Sequence, residues 1–318
     1  MGLIILFLTA AAIIVAIATL ALIHCLRNPP RLTYAAALAR RLPTEPSEIG
    51  LEGEECSFVL DDNTRAPGWV IRGQKPDGPT VIISHAWSDS RYGSLTRAPL
   101  LAPHVSRIII YDLRGHGDHT YPHSTLTALE PDDLITIARQ VDDGSPIVLM
   151  GVSMGAGIAI VGGAKLWEKE SGVRSQGSEP PGLGSSEPSL HVAGVIVEGV
   201  YREMMEPVAG LVRRKGWPAQ PMAFLADAHL RFWLGIGHGK HRRVHGHDRA
   251  MHAAKLTCPL LILHGENDNI SSPASAKSIA EAARKGTLVM FPGQGHNNLA
   301  KADPDRYAAA LAAFFDSL

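Results

Sequence analysis

The chain has few cysteines and no excess of charge of either sign, and each shortage excludes a class of protein. Its 318 residues include 30 Lys and Arg and 31 Asp and Glu, so its net charge at pH 7 is −1. A nucleic-acid-binding protein usually carries a clustered basic excess, so we expect no nucleic-acid partner. The three cysteines, Cys25, Cys56 and Cys258, are odd in number and widely spaced. They indicate neither a disulfide framework nor a zinc ribbon.

The N-terminal segment lacks charge over a long stretch. No Asp, Glu, Lys or Arg occurs from Leu3 to Ile23, and as a helix this run spans about 30 Å, the thickness of a bilayer's hydrocarbon core. A cleaved signal peptide usually opens with Lys or Arg and is shorter, so we predict an uncleaved membrane anchor over residues 1–26. The basic residues near the run all follow it: Arg27, Arg31, Arg40 and Arg41. The positive-inside rule then predicts a single-pass protein whose body is cytoplasmic.

Residues 27–53 carry several prolines around an alanine-rich patch and are predicted to be a juxtamembrane linker with a short helix. Beyond them, residues 54–318 alternate strand-like and helix-like segments. Runs such as Val81-Ile82-Ile83 are typical of parallel strands buried on both faces, and the first two strands are predicted to form an antiparallel hairpin. The eight predicted strands are Cys56–Leu60, Gly68–Arg72, Thr80–Ser84, Arg107–Tyr111, Ile147–Met150, Val192–Val197, Leu260–Leu263 and Thr287–Phe291.

Helical segments fall between these strands. A hairpin followed by β-α repeats indicates an α/β protein with a mostly parallel eight-stranded sheet and helices on both faces. The predicted helices are Pro131–Val141, Met154–Lys169, Ser275–Lys285 and Asp305–Phe315.

Two long segments interrupt the alternation. Residues 170–191 are rich in Gly, Ser and Pro and are predicted to form a flexible insertion on the side away from any active site. Residues 201–255 follow the sixth strand at the edge where ligands bind in such sheets, so we predict a helical cap over an apolar pocket. The histidine-rich stretch 238–252 favours a solvated basic surface over a metal site, because glycines interrupt it and no set of carboxylates or cysteines accompanies it.

A serine between two glycines is the first residue that indicates chemistry. Gly151-Val152-Ser153-Met154-Gly155 follows a predicted strand and precedes a predicted helix. Small flanking residues let the chain turn sharply there and leave the serine hydroxyl exposed, as a nucleophile requires. The alternative is a capping serine at a glycine-rich helix start.

A serine hydroxyl needs a neighbouring base. Asp268 follows the seventh predicted strand and His296 follows the eighth, so the chain order is Ser, Asp, His. An oxyanion needs two N–H donors. The backbone of Met154 is one candidate, and that of Trp87, with Ala86 as the near alternative, is the other.

These motifs together resemble the α/β-hydrolase superfamily over residues 54–318, and the single-span layout is similar to membrane-anchored serine hydrolases of the alpha/beta hydrolase domain type. The motifs are Ser84-His85-Ala86-Trp87, Asp112-Leu113-Arg114-Gly115-His116-Gly117, the elbow at Ser153, His264-Gly265-Glu266-Asn267-Asp268 and Gly295-His296. The resemblance implies an α/β-hydrolase fold with nucleophile Ser153, acid Asp268, base His296 and an oxyanion hole at the N–H groups of Trp87 and Met154. Ala86 stands where the family has glycine, which is expected to re-aim the oxyanion loop slightly.

The expected function is hydrolysis of a carboxylic ester through an acyl-enzyme, without cofactor or metal. A lipid-like or medium-chain acyl ester fits the apolar cap and the anchor, and a thioester would use the same catalytic machinery. The expected partners are this small-molecule substrate and the membrane. We expect the protein to be located in the membrane, crossing it once, with its catalytic domain in the cytoplasm. The alternatives are an acyltransferase, a peptidase-like serine enzyme, or a non-catalytic membrane scaffold of the same fold.

Overall fold

The computed structural model of the protein describes most of the chain. Most of the predicted insertion 170–191, part of the predicted cap 201–255 and most of the histidine-rich stretch 238–252 lie outside the described residues. Those that it describes are 1–170, 190–214, 224–226, 228, 248–296 and 298–318.

The centre of the fold is one eight-stranded sheet, with the strand order β1-β2-β4-β3-β5-β6-β7-β8. β2 pairs antiparallel with β1 and with β4, and the other five strand pairs are parallel. The predicted hairpin and the mostly parallel sheet are therefore confirmed. The strands are β1 (Gly53–Val59), β2 (Arg65–Arg72), β3 (Thr80–Ser84), β4 (Arg107–Tyr111), β5 (Ile147–Val152), β6 (Val192–Glu198), β7 (Leu260–Gly265) and β8 (Gly286–Phe291).

β2 begins earlier than the sequence indicates. The predicted strand starts at Gly68, whereas β2 begins at Arg65 and includes Pro67, although a proline lacks the N–H that a strand ladder uses. Pro67 pairs with Ser57, and its carbonyl accepts a hydrogen bond from the N–H of Asp112 at 2.9 Å. The missing donor therefore does not prevent pairing on either side of β2.

Helices cover both faces of the sheet. The described α-helices are α1 (Gly2–Arg27), α2 (Tyr34–Ala39), α3 (Arg91–Ser94), α4 (Ala98–Leu101), α5 (Glu130–Gln140), α6 (Met154–Glu170), α7 (Met205–Arg214), α8 (Arg249–Ala253), α9 (Pro273–Ala282), α10 (Leu299–Ala302) and α11 (Pro304–Phe315). Short 3₁₀ turns occur at Pro46–Ile49, Leu95–Arg97 and Ala102–His104.

Alternate side chains of each central strand enter two separate cores. In β3, Ile82 belongs to the core beneath α5, α6, α8 and α9, whereas Val81 and Ile83 belong to the core beneath α2, α4 and α11. Successive side chains of a strand point to opposite faces, so a strand buried on both faces needs an apolar residue at every position. This requirement explains the continuous Val and Ile runs in the sequence.

The residues after α1 pack against the domain. Leu32 and Ala37 are buried in the second core. The Arg31 guanidinium donates hydrogen bonds to the carbonyl oxygens of His119 and Tyr121, at 2.9 and 3.0 Å. These contacts hold the end of α1 close to the loop that follows β4.

Helix α1 is the one helix among the described residues that is long and apolar enough to cross a membrane, with a mean hydropathy of 2.9. Signal sequences near an N-terminus pass the same test of length and composition. Most of α1 is exposed, but Thr19, Ile23 and Leu26 near its end are buried against the domain.

Three histidines between β3 and α5 are buried, which makes the stability of the fold depend on pH. Burial lowers the pKa of His85 to about 4, and it lowers the pKa of His116 and His119 to about 3. An unfolded chain protonates its histidines near pH 6.5, so it binds more protons than the folded chain between pH 6.5 and 4. These three histidines are therefore expected to lower the free energy of unfolding as the pH falls through this window. Burial raises the pKa of Asp112 and Asp133 to about 7, and these two groups contribute in the opposite direction, so the histidine contribution is measured as a difference between variants.

Urea unfolding of the detergent-solubilised protein at pH 7, 5.5 and 4.5 measures this difference. His119→Gln should reduce the dependence on pH, because the amide oxygen can replace the imidazole nitrogen Nδ1 that accepts from the N–H of Tyr121. His191 is exposed, so His191→Gln is the matched control and should leave the dependence unchanged. Equal pH dependence in the wild type and in His119→Gln would contradict the prediction.

Candidate active site

Ser153 lies on a sharp turn between β5 and α6, and its φ of 52° is in the left-handed region. This conformation is strained for a residue with a side chain, and such strain is often found at functional sites. Gly151 and Gly155 on either side of the turn have no room for a side chain. A Cβ at Gly151 would lie 2.0 Å from the carbonyl oxygen of Gly155, and a Cβ at Gly155 would lie 2.0 Å from that of Ser84. The turn closes only because both positions lack side chains.

His296 and Asp268 come to Ser153 from the loops after β8 and β7. The Oγ of Ser153 lies 2.8 Å from Nε2 of His296, and Nδ1 of His296 lies 2.7 Å from Oδ2 of Asp268. An ionised carboxylate can only accept hydrogen bonds, so Nδ1 carries the imidazole proton and Nε2 is free to accept from the serine hydroxyl. The three residues that the sequence singles out therefore form one continuous chain of hydrogen bonds.

The surroundings of Asp268 keep its carboxylate charged. Burial on its own raises the pKa of Asp268, but hydrogen bonds and charge more than offset this effect, and the pKa ends below its ordinary value. Its Oδ1 accepts from the N–H groups of Ile270 and Ser271 at 2.9 and 2.8 Å, while Oδ2 accepts from His296. An aspartate fixed in this way holds the imidazole in one tautomer and one orientation.

The candidate oxyanion donors lie beside the serine. Ala86, Trp87 and Met154 line the same cavity as Ser153 and His296. The backbone N–H groups of Trp87 and Met154 donate to no other described residue. Both are therefore available to a negatively charged oxygen formed next to Ser153.

His85 fixes the peptide that joins Ala86 to Trp87. Its Nε2 lies 3.0 Å from the N–H of Leu113, which can only donate, so the proton of His85 is on Nδ1. Nδ1 lies 2.8 Å from the carbonyl oxygen of Ala86 and donates to it. The carbonyl of Ala86 and the N–H of Trp87 belong to one planar unit, so this bond also sets the direction of the candidate donor.

Alanine in place of the family's glycine causes no backbone strain at residue 86. Ala86 is not among the described residues with positive φ. The residue of this loop in the left-handed region is Ser88, with a φ of 62°. The backbone at residue 86 therefore accepts a side chain.

A buried ion pair between Arg97 and Glu198 lies next to the turn at Ser153. The sequence analysis did not predict this pair. Glu198 ends β6, and its carbonyl oxygen accepts from the N–H of Ser153 at 2.8 Å. The Glu198 carboxylate accepts from Arg97 at 2.9 and 3.0 Å and from the hydroxyl of Tyr307 at 3.1 Å. An acidic residue at the end of an apolar strand is a signal that could have revealed it, since buried carboxylates are almost always paired.

A cavity of about 200 Å³ opens onto Ser153 and His296. No Asp, Glu, Lys or Arg occurs among the described residues that line it. The sequence predicted Trp87 or Ala86, Ser153, Met154 and His296 for the site and a cap from residues 201–255 over it, but it did not predict Leu26, Leu126 or Ile270. The remaining lining residues are Leu26, Leu126, Tyr201, Met204, Pro207, Val208 and Ile270.

Within the described part of the chain, no group of three or more His, Cys, Asp or Glu is arranged to hold a metal ion. Four of the five histidines in the stretch 238–252 lie outside that part. The fifth, His252, is buried next to α6 and α9.

A mostly parallel eight-stranded sheet, with a serine on a strand–helix turn and an aspartate and a histidine on the loops after β7 and β8, defines an α/β-hydrolase. The model of the alpha/beta hydrolase family matches residues 76–310, and the chain belongs to this family. None of the curated proteins matches the chain.

Solved structures share the fold at low sequence identity. An esterase of Pyrococcus furiosus has a TM-score of 0.65 and 15% identity, covering 92% of this chain and 98% of its own. A membrane phospholipase A described as a bacterial virulence factor has a TM-score of 0.58 and 17% identity, covering 99% and 97%. An esterase from a Rhodococcus species has a TM-score of 0.54 and 20% identity, covering 83% and 99%. At these identities the likeness shows the fold alone.

Proposed function

We propose that the protein is a serine hydrolase that cleaves carboxylic esters, with Ser153 as nucleophile, His296 as general base and Asp268 as the residue that orients the base. The observation that carries the proposal is the pair of hydrogen bonds from Ser153 to His296, at 2.8 Å, and from His296 to Asp268, at 2.7 Å. The similar structures include esterases and a membrane phospholipase A, which agrees with ester chemistry.

In the first half of the reaction, His296 takes the hydroxyl proton of Ser153 on Nε2 as Oγ attacks the ester carbonyl carbon. The carbonyl oxygen becomes an oxyanion and accepts hydrogen bonds from the N–H groups of Trp87 and Met154. The intermediate then collapses. The ester C–O bond breaks, and the leaving alcohol takes the proton from His296. The acyl group remains on Oγ.

In the second half, His296 takes a proton from a water molecule whose oxygen attacks the acyl carbon. The bond between that carbon and Oγ of Ser153 breaks, and the serine recovers its proton from His296. The products are an acid and an alcohol, and no other reactant is consumed. An acyltransferase would differ only in that a second alcohol replaces this water.

We also propose that α1 is an uncleaved membrane anchor and that residues 54–318 form a cytoplasmic catalytic domain. Cleavage after α1 would expose the apolar residues Tyr201, Met204 and Val208, which pack with Ile23 and Leu26. Exposing such a surface is unfavourable in water, so these contacts support a retained helix. The basic residues after α1 support the cytoplasmic side.

A fluorophosphonate probe tests the proposal, because only an activated serine reacts with it. We expect the full-length protein in detergent to be labelled on Ser153, and Ser153→Ala to remain unlabelled. Ser278, whose hydroxyl donates to the carbonyl of Ser275, is a matched control, and Ser278→Ala should label like the wild type. Absence of labelling in the wild type, or labelling that persists in Ser153→Ala, would overturn the assignment.

A further inference from the structure

We propose that the end of the membrane helix α1 and the helix α7 together form the acyl-chain channel of the active site, so that the substrate is a lipid ester that reaches Ser153 directly from the bilayer. This inference rests on the proposed function and names its substrate class. It assigns to α1 a role in binding substrate as well as a role in anchoring.

The end of α1 and the helix α7 contribute side chains to one apolar cluster, together with Leu126, Tyr201 and Ala226. On α1 the cluster includes Ala18, Leu22, Ile23 and Leu26, whose spacing of three and four residues places them on the same side of a helix. The residues on and just before α7 follow the same spacing. They are Met204, Met205, Val208, Ala209 and Val212. Every side chain that the two helices contribute to this cluster is apolar.

The cavity at Ser153 adjoins this cluster. Leu26, Met204 and Val208 belong both to this apolar cluster and to the lining of the cavity. Val212, two turns beyond Met204, belongs to the cluster but not to the cavity. The wall of the cavity on this side is therefore continuous with the apolar cluster of the two helices, and an apolar wall suits a hydrocarbon chain.

The end of α1 is fixed to the catalytic loops and not only packed beside them. The indole Nε1 of Trp87 donates a hydrogen bond to the carbonyl oxygen of Leu26 at 2.9 Å. The backbone N–H of Ser124 donates to the carbonyl oxygen of Arg27 at 2.8 Å. Trp87 is also the candidate oxyanion donor. The position of α1 and the geometry of the reaction site are thus linked through one residue.

The length of α1 places this cluster at the membrane. The part of α1 before its residues in the cluster runs from Gly2 to Ile17 and is about 24 Å long, less than the roughly 30 Å of a hydrocarbon core. If α1 crosses the bilayer, the first of its residues that belong to the cluster with α7 enter the membrane too. Phe224 is 72% exposed and lies two residues from Ala226, which is buried in the same cluster. An exposed aromatic side chain at this place fits a lipid environment better than water.

Substitutions at Leu26 test the channel in proteoliposomes of phosphatidylcholine. Leu26→Trp narrows the wall, and we expect it to lower the ratio of kcat/KM for p-nitrophenyl laurate to that for p-nitrophenyl acetate at least about tenfold, since each displaced methylene loses its apolar contact. Leu20 is on the opposite face of α1 and 55% exposed. Leu20→Trp is the matched control and should leave the ratio unchanged. An unchanged ratio in Leu26→Trp, or an equal change in both variants, would overturn the proposal.

A second measurement uses no substitution in α1 or α7 and needs no turnover. The Ser153→Ala protein is placed in vesicles of phosphatidylcholine that carries a photoreactive diazirine at the end of one acyl chain. We expect cross-links on α7 between Met205 and Val212 as well as on α1. Cross-links confined to residues 3–17 would exclude the channel.

The two experiments separate the channel from the proposed function. If the wild type reacts with neither the acetate ester nor the fluorophosphonate, the proposed function fails. If it reacts with both, but the ratio and the cross-links do not follow the prediction, only the channel fails.

Discussion

Replacing Ser153 with alanine is expected to lower kcat/KM for p-nitrophenyl butyrate by about 10⁴-fold or more, because the variant has no oxygen to form the acyl-enzyme. Oγ is the only atom lost, and it is the atom that lies 2.8 Å from Nε2 of His296. Initial rates of the full-length protein in detergent measure the change. The alanine keeps the turn intact, because the glycines at 151 and 155 and the bond from the backbone of residue 153 to Glu198 do not involve the hydroxyl.

A double variant makes this prediction sharper. If Ser153 and His296 act as one unit, Ser153→Ala combined with His296→Ala should be no slower than either single variant within a factor of about three. Effects that multiply would mean that the two side chains contribute separately, and the proposed mechanism would then be wrong. Ser278→Ala serves again as the control and should retain the wild-type rate.

The positions of the three candidate catalytic residues could be predicted because each follows a strand that its sequence identifies. β5 and β7 are continuous apolar runs, and parallel strands end at the same edge of a sheet. Ser153 and Asp268 therefore had to approach each other once the strand order was known. His296 follows β8, the last strand of the sheet and next to β7.

The apolar wall of the cavity could not be predicted in the same way. Leu26 is one apolar residue in a long apolar helix, and nothing in its own neighbourhood distinguishes it from Leu20 or Leu22. It lines the cavity together with Val208, which is far away in the chain, and periodicity within a segment carries no information about such pairs. The same holds for the pair of Arg97 and Glu198.

Element ends were less predictable than the elements. The predicted helix Ser275–Lys285 begins at Pro273 and ends at Ala282 in the structure. Ser272 caps its start by accepting from the N–H of Ala274 at 3.2 Å, and Ala283 leaves the helix with a ψ of 138°. Alanine favours helix, so local preference continued the helix. The requirement to enter β8 at Gly286 ended it.

The second large effect is expected at Asp268. Asp268→Asn should lower kcat for the butyrate ester by about 10⁴-fold, because an amide nitrogen can donate where the carboxylate only accepts. Two N–H groups already donate to Oδ1, so the remaining position of the side chain facing His296 becomes the NH₂ group. The NH₂ group of the asparagine can only donate, so it favours the tautomer of His296 in which Nδ1 carries no proton. Nε2 then carries the proton and can no longer take one from Ser153.

The pH profile distinguishes this role from a purely structural one. The pKa of Asp268 lies below its ordinary value, so the carboxylate is already charged at pH 5 and above, and its titration does not shape the activity of the wild type there. The loss in Asp268→Asn should therefore be present across pH 5 to 8, and it should shrink at higher pH if hydroxide can replace the base. Asp305 is an exposed aspartate, and Asp305→Asn should retain activity within twofold. A loss of less than tenfold in Asp268→Asn would mean that this carboxylate does not hold the working tautomer of His296.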